Sequence, residues 1–109
     1  MIKFALCDDN TKMLSKLKDI LENIFLINDY DASVVFTCDN PNSLLEFVKN
    51  NEVNVLFLDI DLDSNSNGID LAKEIRKTNK SIYIVFVTRH FEYNLLDSDL
   101  SSHYYYLAL

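Results

Sequence analysis

The chain is short of the residues that loosen or lock a backbone. One glycine and one proline among 109 residues exclude collagen-like, linker-like and low-complexity organisation. Two cysteines, Cys7 and Cys38, are too few for a disulfide scaffold and lack the spacing of a metal-binding pair. Both fall at predicted strand ends, so a disulfide is conceivable if those strands are neighbours. In a chain of cytosolic character they read instead as reduced, buried thiols. Basic residues are also scarce: ten Lys and Arg against seventeen Asp and Glu give a formal net charge of -7. A balance of that sign excludes direct nucleic-acid contact by this segment. No apolar run approaches membrane-spanning length. The start, Met1-Ile2-Lys3-Phe4, meets aspartates too early for a signal peptide. The expectation is a cytoplasmic protein with no membrane partner.

Hydrophobic residues make up 49% of the chain, enough for one core in one domain. Two apolar runs stop on carboxylates: Phe4-Ala5-Leu6-Cys7 on Asp8-Asp9, and Val55-Leu56-Phe57-Leu58 on Asp59. Such runs read as strands buried on both faces of a parallel sheet, the first over Ile2 to Cys7. From Thr11 to Ile27, Met13, Leu14, Leu17, Ile20, Leu21, Ile24 and Phe25 form a one-sided helical stripe, capped by Asn10 or Thr11. A second strand is predicted over Ser33 to Cys38. Asn40-Pro41 then gives an N-cap with proline at the first helical position, and Leu44, Leu45 and Val48 supply that helix's buried side. A third strand follows over Val53 to Asp59, then a polar loop from Asp61 to Gly68. Ile69, Leu71, Ala72 and Ile75 mark a third helix. Ile82 to Thr88 is the most apolar strand and reads as central. His90 to Leu96 reads as a short helix, and His103 to Leu109 as a final aromatic strand with no helix after it. This alternation predicts an α/β fold, with five parallel strands and helices on both faces.

Ligands of open α/β sheets bind beyond the carboxyl ends of the strands. If the first and third strands are neighbours, Asp8, Asp9 and Asp59 meet at that edge, repel one another and invite a divalent cation. Mg²⁺ suits such a site, because it takes one or two carboxylates, several waters and phosphate oxygens. An aspartate beside the metal can act as a nucleophile toward a phosphoryl group. Thr88, ending the neighbouring strand, offers a hydroxyl to a phosphate oxygen. Taken alone, Asp8-Asp9 would read as helix N-terminal charge. Asp63 reads as a loop acid, and His90 and His103 lack a partner for acid–base work. The Tyr104-Tyr105-Tyr106 run reads as a strand with alternating rings.

The ordered set resembles the receiver domain of a bacterial two-component response regulator: an acidic pair after strand one, an aspartate after strand three, a glycine shortly beyond and a threonine after strand four. Leu58-Asp59-Ile60, Asn67-Gly68-Ile69, Glu74-Ile75-Arg76 and Val85-Phe86-Val87-Thr88 are similar to receivers joined to LytTR DNA-binding domains, of the AgrA-like quorum-sensing type. The resemblance covers nearly the whole chain, read as a single receiver domain over residues 1–109, C-terminally truncated and without its output domain. It implies a flavodoxin-like, three-layer α/β/α fold of strand order 2-1-3-4-5, with the last helix missing. It further implies that Asp59 accepts a phosphoryl group from a sensor histidine kinase. Asp9 would bind Mg²⁺ directly and Asp8 through water, Asp61 would contribute its backbone carbonyl, and Thr88 would close on the phosphate to start the switch. The domain would be a phosphoacceptor in transcription control rather than a conventional enzyme. Separately, the uncovered final strand and its tyrosines lead to the expectation of a homodimer. The family's lysine at the end of strand five would fall just past Leu109. Arg89 stands where the family usually has a small residue, and Leu107 at its aromatic switch position, with Tyr105 two residues earlier on the same face. Two alternatives stay open: a pseudo-receiver used only for protein–protein interaction, and a haloacid-dehalogenase-type phosphatase built on Asp59-Ile60-Asp61.

Overall fold

A computed structural model of the chain describes residues 1–60, 67–88 and 104–108. In chain order these are β1 (Ile2–Cys7), α1 (Thr11–Ile27), β2 (Ala32–Cys38), α2 (Pro41–Asn50), β3 (Val55–Asp59), α3 (Gly68–Arg76), β4 (Tyr83–Thr88) and β5 (Tyr104–Ala108). The first four strands form a parallel sheet in the order β2-β1-β3-β4. Beside β4, β5 runs parallel, with Val85 opposite Tyr105 and Val87 opposite Leu107. The heart of the sheet is therefore β3, which lies between β1 and β4, and not β4, the strand that apolarity alone singled out. Neighbouring β1 and β3 meet the condition on which convergence of the three acids depends. The helix expected over His90 to Leu96 lies outside the described residues.

Strand pleating sorts the core into two layers. Ala5 and Cys7 of β1, Leu56 and Leu58 of β3, and Ile84 and Phe86 of β4 point to one face, where Leu44 and Val48 of α2 and Leu71, Ala72 and Ile75 of α3 cover them. Leu6 and Val87 point to the other, where they meet Leu17, Leu21 and Phe25 of α1. Leu56, Leu58, Ile84 and Phe86 are fully enclosed; burying each such side chain contributes about 1.5–3 kcal/mol. The sheet interior thus supplies the rigid base from which the acidic edge projects.

An irregularity in β2 reassigns its side chains. Pairing runs Phe4 with Val34 and then Ala5 with Phe36, so Val35 is skipped and half-exposed. An extra residue of this kind reverses which face the following side chains use. Val34 accordingly joins the α1 layer, whereas Phe36 joins the α2 layer and stacks on Phe47 with ring centroids 4.0 Å apart. Downstream of the bulge, Cys38 falls directly opposite Cys7.

The helix starts follow their capping residues. Asn10 accepts hydrogen bonds from the backbone N–H groups of Lys12 and Met13, both at 3.1 Å. Asn40 accepts one from Ser43 at 2.9 Å, with Pro41 in the first turn. Asn67 accepts one from Asp70 at 2.9 Å. Each satisfies amide donors that the first helical turn leaves unpaired. β3 begins two residues later than its apolar pattern suggests, because Asn54 works as a clamp. Its side-chain oxygen accepts from the Lys3 amide at 2.7 Å, and its carbonyl accepts from the Tyr83 amide at 2.9 Å.

Candidate acidic site at the carboxyl edge of the sheet

The last paired residues of β1 and β3 are Cys7 and Leu58, so the chain delivers Asp8 and Asp59 side by side at the same edge. The Asp8 amide donates to the Cys38 carbonyl at 3.2 Å, which extends the β1–β2 pairing by one step. The Asp8 side chain is almost fully buried and accepts from the Asn10 amide at 2.8 Å. Asn10 thus orients Asp8 while capping α1. Asp9 is exposed and Asp59 half-buried.

One carboxylate oxygen from each of Asp8, Asp9 and Asp59 can be chosen so that all lie within 4.8 Å of one another. At such separations each like-charge pair costs about 1 kcal/mol in bulk water and more at a partly buried site. The start of α1 immediately after Asp9 offsets part of this with its positive dipole end. All the donors are hard carboxylate oxygens, and their exposure grades from buried Asp8 to open Asp9. That suits a divalent cation keeping waters on its outer side. The three acids singled out from sequence are therefore brought together. Thr88 closes β4, where its backbone pairs with Ala108, but its side chain lies outside the described residues. Asp61, Asp63, Arg89, His90 and His103 lie wholly outside them. Tyr105 and Leu107 are both exposed.

The sequence did not reveal why the only glycine stands at Gly68. Its φ is ordinary, so conformational freedom is not the reason. Space is. The Gly68 amide donates to the Ile60 carbonyl at 2.6 Å, and Ile60 in turn donates to the Val87 carbonyl at 3.3 Å. A Cβ at Gly68 would run into the Asp59 carbonyl oxygen and come within 3.0 Å of the Asp59 carbonyl carbon and Ile60 Cα. The first turn of α3 is thereby held against the backbone that presents Asp59. Asn10 and Asn67, which lock the flanking helix starts, were the other contributors; only the Asn10 cap was anticipated.

Under this edge, Cys7 and Cys38 are buried and free of any disulfide. The neighbouring Cys38 thiol, then burial, pushes Cys7 far above the usual thiol range. The Cys7 thiol in turn lowers Cys38 despite its own burial.

A doubly covered parallel sheet with an acidic triad beyond β1 and β3 defines a class of signalling domain, and the chain belongs to it: residues 4–103 match the response regulator receiver domain family. More particularly, the chain is similar to the accessory gene regulator protein A of Staphylococcus aureus (strain N315), 36% identical over 96 residues. That match takes in 87% of this chain and 40% of the relative. The Staphylococcus epidermidis (strain RP62A) protein of the same name is 33% identical over the same share of each chain. The chain thus spans about two fifths of the length of these relatives. Among solved structures, the response regulator TrrA of Thermotoga maritima in complex with Mg(2+)-BeF superposes with a TM-score of 0.76 at 23% identity, covering 99% of this chain and 88% of that one. The receiver domain of Erythrobacter litoralis PhyR gives 0.75 at 20% identity, covering 98% and 77%. At such identities these structures speak for the fold. Among the described residues no helix is long and apolar enough to cross a membrane.

Proposed function

We propose that Asp59 accepts a phosphoryl group from the phosphohistidine of a sensor kinase, and that residues 1–109 act as the receiver domain of a longer cytoplasmic transcription regulator with a LytTR-type DNA-binding output. The observation that carries this reading is the convergence of Asp8, Asp9 and Asp59 within 4.8 Å at the edge of a receiver-family sheet. The identity to accessory gene regulator protein A supports the choice of output. The same proposal includes β5 as the fifth strand of a 2-1-3-4-5 sheet, and homodimerisation as the means of passing the signal on.

In this reading an Asp59 carboxylate oxygen attacks phosphorus, a P–O bond forms, the P–N bond to the donor imidazole breaks, and the ring leaves with a proton. Asp8, Asp9 and Asp59 would hold Mg²⁺, with the Asp61 carbonyl as a further ligand. When bound, the ion offsets negative charge on the phosphoryl oxygens. Asp8, fixed by Asn10, sets the inner wall, and Asp9 leaves the outer wall open to the incoming donor. Thr88 would hydrogen-bond the transferred group.

Incubation with acetyl phosphate and Mg²⁺, read by intact-mass spectrometry, tests the reading. A single phosphate adduct on the chain, absent in Asp59→Asn, is the expected result. No adduct at any Mg²⁺ concentration would sink it and leave a receiver fold used for protein–protein interaction alone.

A further inference from the structure

The bulge at Val35 has a chemical result beneath the acidic site. Without it Cys7 would face Thr37, whose side chain is exposed; with it Cys7 faces Cys38 in register. Both thiols lie in the same buried layer between the sheet and α2. Directly opposed residues of neighbouring strands have Cα atoms about 4.8 Å apart, inside the roughly 4.4–6.8 Å window that a disulfide spans. The sulfurs are held in place by the carbonyls around them: Cys7 Sγ lies 3.9 Å from the Asn40 carbonyl oxygen, and Cys38 Sγ 3.8 Å from that of Leu6.

We propose that Cys7 and Cys38 are a redox modification site, closing to an intramolecular disulfide under peroxide and reopening with a thiol reductant. One thiol is first oxidised by peroxide: its sulfur takes an oxygen, the O–O bond breaks and water leaves. The second sulfur then displaces that oxygen as a second water. Two thiols and one peroxide give one disulfide and two waters, the sulfurs losing two electrons that the peroxide gains. Side chains leaving opposed positions of parallel strands run alongside each other rather than converging, so the bridge departs from relaxed geometry and is readily reduced. Asp8 follows Cys7 directly and its amide is bonded to the Cys38 carbonyl. The bridge therefore fixes the two strand ends from which the metal-facing carboxylate is presented.

Treatment of the native 109-residue chain with hydrogen peroxide, followed by denaturing alkylation and intact mass, decides the matter. The expected result is a monomer lighter by two hydrogens, with both cysteines protected from alkylation and a Cys7–Cys38 peptide on mapping. Dithiothreitol should restore the reduced mass and both alkylation sites. A double variant, Cys38→Ser with Thr37→Cys, moves the second thiol one residue along β2 to the exposed position and should give no internal bridge. Oxygen addition without a bridge in the wild-type chain, bridging between chains, or equal bridging by the double variant would each overturn the proposal.

Discussion

Replacing Gly68 with alanine tests the account of the site most directly, because two effects oppose each other. At an ordinary helical position Gly→Ala stabilises by up to about 1 kcal/mol. Here the added Cβ meets the Asp59 carbonyl and Ile60 Cα. These are backbone atoms, so no side-chain rotation relieves the contact, and α3 must draw back from β3. Overpacking of this kind costs about 1–3 kcal/mol. Because Gly68 opens the helix, little of the propensity gain is realised, and the net loss is about 1–2 kcal/mol. For a domain of this size each kcal/mol moves Tm by about 4–8 °C, so thermal unfolding should shift down by about 5–15 °C. Gly68→Ser carries the same Cβ and should fall similarly. Because the Gly68–Ile60 hydrogen bond frames Asp59, Mg²⁺ affinity should fall together with stability. An alanine variant as stable as the parent, or more stable, would refute the spatial explanation for this glycine.

Leu58→Ala empties a fully enclosed position in β3 and should cost about 2–5 kcal/mol in urea unfolding, with the m-value unchanged. Asn67→Ala removes the acceptor for the Asp70 amide and should cost about 1 kcal/mol by the same measurement. Asp9→Asn relieves like-charge repulsion in the triad: Tm should rise in chelator. Mg²⁺ affinity by calorimetry should meanwhile drop by more than the ~10–100-fold that loss of an outer-shell partner costs. A variant with unchanged Mg²⁺ affinity would remove Asp9 from the ligand set.

Much of this was readable from residue order because burial and alternation act locally. The β1 and β3 runs are continuous and apolar since both their faces are covered, and their acidic stops mark where cover ends. Periodicity marked α1 over Thr11–Ile27, but it could not say which of the seven residues in its apolar stripe face the sheet. Leu17, Leu21 and Phe25 are buried, while Ile20 and Ile24 remain 45% and 42% exposed. That distinction depends on which strands lie beneath α1. The second strand starts at Ala32 rather than Ser33, and the third at Val55 rather than Val53, because partner strands and the Asn54 clamp set the limits. Cross-strand register was likewise hidden. The single skipped residue at Val35 decides that Cys7 meets Cys38, and no local pattern announces it.

The tyrosine pair shared by β4 and β5 has an optical consequence. On the face of the sheet that α1 packs against, Tyr83 and Tyr105 stack with ring centroids 6.1 Å apart and are 42% and 54% exposed. The chain contains no tryptophan, so tyrosine emission is not drained by energy transfer to an indole. Whatever settles on that face changes the surroundings of these two rings directly. This part of the sheet carries its own fluorescent label, and binding there can be followed without attaching a dye.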